Sequence, residues 1–170
     1  SDDNTQYDEM RYEGIVNNGV FLIIETLTDN KNRTASEIRS ILNKNGGMLG
    51  ETGSASFNFD KLGVVKYDQQ NISKEKFFDY SIDKNALDVM EEDNYIISIC
   101  NPENFGKFRD DLEFEFGEPE KAELIWKAKS PITPEPDIGR KILTLINLLE
   151  ENDDIQRVFS NIDLNQDMQE

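Results

Sequence analysis

TDNKNRTASEIRSILNKNGGMLGETGSASFNF, residues Thr28–Phe59, is the stretch that decides the fold class of this chain. Thr34 and Glu37 have the spacing of a capping box, which predicts that a helix begins there. Apolar residues then recur at helical spacing, at Ala35, Ile38, Ile41 and Leu42. Asn45-Gly46-Gly47 predicts the end of the helix, because glycine tolerates the left-handed conformation that closes a last turn. The stretch therefore begins with a helix of about three turns.

A strand is predicted directly after the glycine-rich turn. Three apolar residues alternate with polar ones beyond Gly53, at Ala55, Phe57 and Phe59. Around this unit we expect strands at 20–28 (after a lead-in at 11–15), 64–67 and 155–162, and a helix that begins near Pro134 and Pro136 with the apolar stripe Ile138, Ile142, Leu145 and Leu149. The predicted class is mixed α/β (α+β), with the element order of a split ferredoxin-like βαββαβ lobe.

The interruption of this lobe reads as a second, inserted α+β domain. Its predicted elements are a helix capped by Ser73, a strand at 94–100, a helix from Asn101-Pro102 to Gly117, and a strand at 121–129. The predicted boundaries are a linker at 1–10, a ferredoxin-like lobe at 11–67 plus 134–164, the inserted lobe at 68–133, and a tail at 165–170. Two lobes are compatible with a length of 170 residues.

The chain is strongly acidic, with a formal net charge of −17. One basic island interrupts this charge between Asn30 and Gly50, where a single acid, Glu37, stands against four cations: Lys31, Arg33, Arg39 and Lys44. Nucleic-acid affinity comes largely from neutralising phosphates, so an acidic body repels DNA and RNA. Contact with a polyanion should therefore be concentrated in this island, while the acidic remainder fits a basic protein surface.

Two interpretations of the island stay open. Its cations are either a solvated helix face, or a binding site in which Lys31, Asn32 and Arg33 precede a helix N-terminus and hold phosphate or carboxylate. In the second interpretation the nucleic-acid or partner site comprises six residues, Lys31, Asn32, Arg33, Thr34, Arg39 and Lys44. GGMLGETG lacks the lysine and the spacing of a phosphate-binding loop, so a nucleotide hydrolase is excluded.

The residues for enzyme chemistry are sparse. The chain has no histidine, the commonest general base and transition-metal ligand. Cys100 ends a predicted apolar strand, so we expect a buried small side chain there rather than a nucleophile. Glu91-Glu92-Asp93 lacks the spaced ligands of an EF-hand loop, so we expect a solvated turn rather than a calcium site. No apolar run reaches the roughly 18 residues that a bilayer span needs. We therefore expect no enzyme activity, cofactor, metal, membrane partner or small-molecule substrate.

The stretch Thr28–Phe59 closely resembles the central motif of the YebC/PmpR family, which includes the mitochondrial translational activator of cytochrome oxidase. Three further segments agree in order: YDEMRYEG (Tyr7–Gly14), KAELIWKAKSPI (Lys121–Ile132) and DDIQRVFSNIDL (Asp153–Leu164). The resemblance implies a protein without enzyme activity, since family members have been described as DNA-binding transcriptional regulators and as ribosome-associated translation factors.

Two departures from the family pattern carry expectations of their own. The family begins with a basic helical domain that nothing here matches, so we expect this chain to be part of a longer protein whose basic domain provides much of the nucleic-acid affinity. The family also has a glycine-rich turn after the YEG motif, where this chain reads Ile15-Val16-Asn17-Asn18-Gly19. Asn18-Gly19 predicts a tight hairpin turn in its place.

Three functions follow from the sequence and the resemblance. The leading hypothesis is a non-enzymatic transcriptional regulator that binds DNA. The alternatives are a translation factor or translational activator that binds rRNA on the ribosome, and an acidic interaction module with a basic protein partner. The expected location is the cytoplasm or, alternatively, the mitochondrial matrix. The oligomeric state stays open.

Overall fold

The structure is a computed structural model that describes residues 4–17 and 19–163. The elements follow in the order β1 Asp8–Val16, β2 Val20–Thr28, α1 Lys31–Lys44, β3 Gly47–Gly50, β4 Phe59–Asp68, α2 Lys74–Asp83, β5 Asp88–Glu92, β6 Tyr95–Cys100, α3 Phe105–Phe116, β7 Lys121–Ala128, α4 Pro136–Glu150 and β8 Ile155–Ser160. The chain divides into two compact units, which are Ser1–Asp60 with Lys127–Glu170, and Lys61–Trp126. Each unit has its own sheet and its own hydrophobic core.

Unit 1 contains a four-stranded sheet in the order β3-β1-β2-β8. Each of its three strand pairings is antiparallel. Helices α1 and α4 contribute apolar stripes to a shared core with alternate residues of β1, β2 and β8. The buried residues of this core are Val16, Val20, Leu22, Ile24, Ile38, Leu42, Ile142, Leu145, Leu149 and Ile155. Both helices therefore cover the same face of the sheet and leave their polar sides to solvent.

Unit 2 contains a second four-stranded sheet, in the order β5-β6-β4-β7. Its core is rich in aromatic side chains from α2, α3 and β4, and comprises Val65, Tyr67, Phe77, Ile96, Cys100, Phe108 and Leu112. Gly63 of β4 permits the close approach of α3, because a Cβ atom there would lie 2.6 Å from Cδ1 of Phe105 and 2.8 Å from Sγ of Cys100.

The predicted class, mixed α and β, is confirmed. The order of elements in unit 1 is ββαβ followed by αβ, which differs from the predicted βαββαβ. Residues 47–50, predicted as a turn, form the edge strand β3, while residues 54–58, predicted as a strand, form turns and a short 3-10 helix at Ser56–Asn58. The predicted strand is therefore wrong for residues 54–58, and β4 begins only at Phe59.

Glu13 explains why residues 53–56 do not form a strand. The residue is only 3% exposed, and its carboxylate accepts backbone hydrogen bonds from Gly53, Ala55 and Ser56 at 2.8, 2.9 and 2.6 Å. Buried backbone N–H groups require partners, and in a strand these partners would be carbonyls of a neighbouring strand. Here a carboxylate takes their place and holds the segment in a turn.

The boundaries of the units and of β1 differ from the predicted ones. Strand β1 begins at Asp8, inside the stretch predicted as a linker at 1–10, because all nine of its residues pair with β2. The second unit spans Lys61–Trp126, whereas the predicted inserted lobe spans 68–133. Both of its boundaries therefore lie seven residues before the predicted ones. The predicted tail at 165–170 and Asn18 of the predicted turn lie outside the described residues, whereas Gly19 has the positive φ of +76° that such a turn needs.

Candidate nucleic-acid interface

Helix α1 begins at Lys31, four residues earlier than the predicted first helical residue, Ala35. Asn30 is its N-cap residue, and its Oδ1 accepts a hydrogen bond from the backbone N–H of Arg33 at 3.0 Å. Glu37 does not return to the cap, since its carboxylate accepts a hydrogen bond from Nδ2 of Asn152 at 2.7 Å. The predicted capping box of Thr34 and Glu37 is therefore wrong, because Asn30 already satisfies the free amide of the first turn.

Thr34 is buried inside the helix rather than exposed at its start. Its Oγ1 lies 2.8 Å from Oδ2 of Asp154, to which it donates, and 2.7 Å from Oγ1 of Thr28. Thr28 in turn accepts a hydrogen bond from the backbone N–H of Asn30 at 2.9 Å. These bonds join β2, α1 and the turn before β8, so the predicted binding residue Thr34 occupies a structural position.

Arg33 belongs to the same network. Its Nη2 lies 2.8 Å from Asp29 and 2.9 Å from Oδ2 of Asp154. Burial opposes ionisation of Asp154, but the hydrogen bonds from Thr34 and Arg33 outweigh it and hold the pKa of this carboxyl below its ordinary value. The guanidinium of Arg33 therefore already has two carboxylate partners, which reduces what it offers to a phosphate group.

The four other predicted site residues are exposed but do not share one face. Lys31 and Asn32 lie in the first turn of α1, and Lys44 lies in its last residue. The rise of the helix separates Lys31 and Lys44 by about 20 Å, and its rotation separates Arg39 and Lys44 by about 140°. The structure therefore does not bring the six predicted residues together.

Lys44 instead lines a cleft together with two cations of α4. A cleft of about 800 Å³ lies between the C-terminal end of α1 and the first half of α4. Its lining includes the cations Lys44, Arg140 and Lys141, together with Asp137, which forms an ion pair with Arg140. The cleft thus has more positive than negative charge, although the chain as a whole is strongly acidic.

The packing of α4 explains why its cations face solvent. Pro136 occupies the first turn, where its missing N–H costs nothing. Ile142, Leu145 and Leu149 are buried in the core of unit 1, as the sequence predicts, so Arg140 and Lys141 stay exposed. Neither cation is among the site residues that the sequence predicts. In the sequence, two adjacent cations beside an apolar helical stripe indicate only an exposed basic patch on a helix. The packing of α4 beside α1 is what places them in one cleft with Lys44.

The described residues contain no group of three or more His, Cys, Asp or Glu that could hold a metal ion. No helix among them is long and apolar enough to span a membrane. Burial and, to a smaller extent, the charge of Glu103 raise the pKa of the Cys100 thiol to about 11. Since the thiolate is the nucleophilic form, this pKa disfavours Cys100 as a nucleophile at neutral pH.

Fold and site together define an α+β protein of two units. Most lysines and arginines of unit 1 lie on α1 and α4, and the side of the sheet that these two helices cover is called the helical face of unit 1. The family model for the second and third domains of TACO1/YebC proteins matches residues 7–162. The crystal structure of a conserved hypothetical protein from Aquifex aeolicus is similar over 98% of this chain and 69% of that chain, with 32% sequence identity and a TM-score of 0.83. The chain belongs to the TACO1/YebC family. Membership of this family indicates a transcriptional regulator or a translational activator.

Proposed function

We propose that this protein is a non-enzymatic regulator of gene expression that acts on the ribosome and docks through the helical face of unit 1. The distribution of cations supports this proposal. Six of the ten lysines and arginines of unit 1 lie on α1 and α4, whereas only three of its nineteen acids do. Since phosphate contacts require cations, this face is where an acidic protein can approach rRNA.

The charge of the remaining chain favours the ribosome over bare DNA as the partner. A DNA duplex presents phosphates along its whole length and repels a protein with a net charge of −17. A ribosome presents basic protein surfaces beside its rRNA, so the acidic parts of the chain also find complementary charge there. Docking of this kind needs no catalytic group, which agrees with the absence of histidine.

Transcriptional regulation is the second candidate. The TACO1/YebC family indicates this role as well, and the same cations could contact the phosphates of promoter DNA. The two functions predict different partners at the same ionic strength, so a direct comparison of ribosomes with DNA separates them.

The test measures co-sedimentation of the protein with purified ribosomes, and its binding to labelled promoter DNA, between about 50 and 200 mM salt. We expect association with ribosomes that weakens as salt rises, and weaker binding to DNA. Arg39→Gln should reduce co-sedimentation, whereas the matched change Lys127→Gln, outside α1 and α4, should leave it unchanged. Binding to DNA without association with ribosomes would overturn the translational proposal in favour of transcription.

A further inference from the structure

We propose that the cleft between α1 and α4 is a binding site for the phosphodiester backbone of RNA. This inference rests on the proposed function, because it names the part of the ribosome that the helical face contacts. It assigns phosphate binding to Lys44, Arg140 and Lys141, of which the last two belong to no predicted site. It also removes Arg33 and Thr34 from the binding site, since the network around Asp154 occupies both.

The cations of the cleft suit phosphate groups. Lys44, Arg140 and Lys141 are exposed residues that line a single cleft from two helices. Lysine acts on phosphate as a mobile point charge, and arginine adds a planar pair of donors. A cleft of about 800 Å³ falls within the size range of ligand sites, so the cleft suits a short length of one strand.

Neutral groups in the cleft favour RNA over DNA. The side-chain amide of Asn45 donates through Nδ2 to the carbonyl of Ile41 at 2.7 Å, which leaves its Oδ1 as an acceptor. The hydroxyl of Thr144 donates to the carbonyl of Arg140 at 3.0 Å, so its lone pairs also remain acceptors. Both residues line the cleft. A ribose 2′-hydroxyl can donate to such acceptors, and deoxyribose lacks that group.

Asp137 acts against phosphate binding. Its carboxylate is in the cleft lining and forms an ion pair with Arg140. An RNA phosphate that approaches Arg140 therefore competes with this carboxylate and is repelled by it. Replacement of Asp137 by asparagine keeps the size of the side chain and removes the competing charge, so it should strengthen RNA binding. Simple loss of fold could not produce such a gain.

The first experiment measures fluorescence anisotropy of a short fluorescein-labelled single-stranded RNA of mixed sequence, and of the DNA with the same sequence. The variants are Lys44→Gln/Lys141→Gln, the matched control Lys127→Gln/Lys129→Gln, and Asp137→Asn. We expect the Kd for RNA to rise about tenfold in the first variant and to stay unchanged in the control. The slope of log K against log salt should become shallower by about 0.7 for each phosphate group that the variant no longer neutralises. Asp137→Asn should lower the Kd.

An equal Kd for the wild type and the Lys44→Gln/Lys141→Gln variant would overturn the site, and equal binding of RNA and DNA would overturn its preference for RNA. Co-sedimentation of the same variants with ribosomes separates this inference from the proposed function. If wild type and double variant associate equally with ribosomes, the cleft is not the contact and the function stands. If RNA binds through the cleft but ribosomes do not associate, the site stands and the ribosomal function is wrong.

Discussion

Glu13 is a buried acid whose carboxylate replaces a strand partner for three backbone amides. Burial raises its pKa, but the hydrogen bonds from Gly53, Ser56 and Ala55 outweigh burial, and the pKa lies below the ordinary value. The charged form is therefore the one that the folded protein stabilises. No local pattern in the sequence marks Glu13, because its partners lie about forty residues further along the chain.

Glu13→Gln should lower the free energy of unfolding by about 2 kcal/mol, because a neutral amide offers one acceptor oxygen and weaker hydrogen bonds than a carboxylate. Urea denaturation measures this loss. Glu9→Gln is the matched control, since Glu9 is an exposed residue of the same strand. A loss of the same size in both variants would contradict the role assigned to the amide contacts of Glu13.

The effect of Glu13 should depend on pH. Because the folded pKa lies below the unfolded one, the contribution of Glu13 to stability is present above the ordinary value of 4.5 and is lost as pH falls through the folded pKa. The difference in unfolding free energy between wild type and Glu13→Gln should therefore narrow below that value. Urea titrations at neutral and acid pH measure it, and a difference that does not change with pH would show that the charge has no role.

Helix α1 starts at Lys31, after the N-cap residue Asn30, and tertiary contacts of Thr34 determine this start. The sequence predicts Thr34 as the cap, because of its spacing from Glu37, whereas Asn30 is the cap in the structure. Asp154 and Thr28 decide between them, because both contact the Thr34 hydroxyl inside the folded unit. Asn30 is then left to accept the amide of Arg33.

Asn30→Ala should destabilise the protein by about 1 kcal/mol, the usual cost of losing an N-cap side chain. Asn30→Asp should restore stability, because aspartate is an equally good cap and its charge suits the helix N-terminus. Asn32→Ala is the control, since Asn32 is exposed in the first turn and alanine favours helix. Thermal unfolding followed by circular dichroism compares them, and a larger loss in Asn32→Ala than in Asn30→Ala would refute the assigned cap.

Two cores, one in each unit, organise the described part of the chain. The single tryptophan, Trp126, and the single cysteine, Cys100, both belong to unit 2. Fluorescence of Trp126 and the reactivity of the buried Cys100 thiol therefore report on unit 2, whereas amide exchange of β2 reports on unit 1.

Glu13→Gln should lower the urea midpoint measured by amide exchange of β2 and leave the midpoints measured by Trp126 and Cys100 unchanged. The reason is that Glu13 and its partners all belong to unit 1, whose core is separate from that of unit 2. The wild-type protein is the reference for all three reporters. An equal shift of all three midpoints would instead show that the units unfold as one cooperative body.

Local patterns in the sequence determined the fold class and most of unit 2. The Ser73 cap, the strand that ends at Cys100 and the helix that ends at Gly117 lie where the sequence predicts them. Helical stripes and alternation succeed there because neighbouring residues fix these elements. The stripe of α4 succeeds for the same reason.

Tertiary structure alone decided the turn held by Glu13, the start of α1 and the grouping of cations. Glu13 overrides the alternation of residues 55–59, and Arg33 pairs with Asp154, 121 residues away in the sequence. Lys44 likewise lines the same cleft as Arg140 and Lys141 only because α1 and α4 pack on one face of the sheet. A sequence shows which charges are near one another along the chain, whereas hydrogen bonding and binding depend on which charges folding brings together in space.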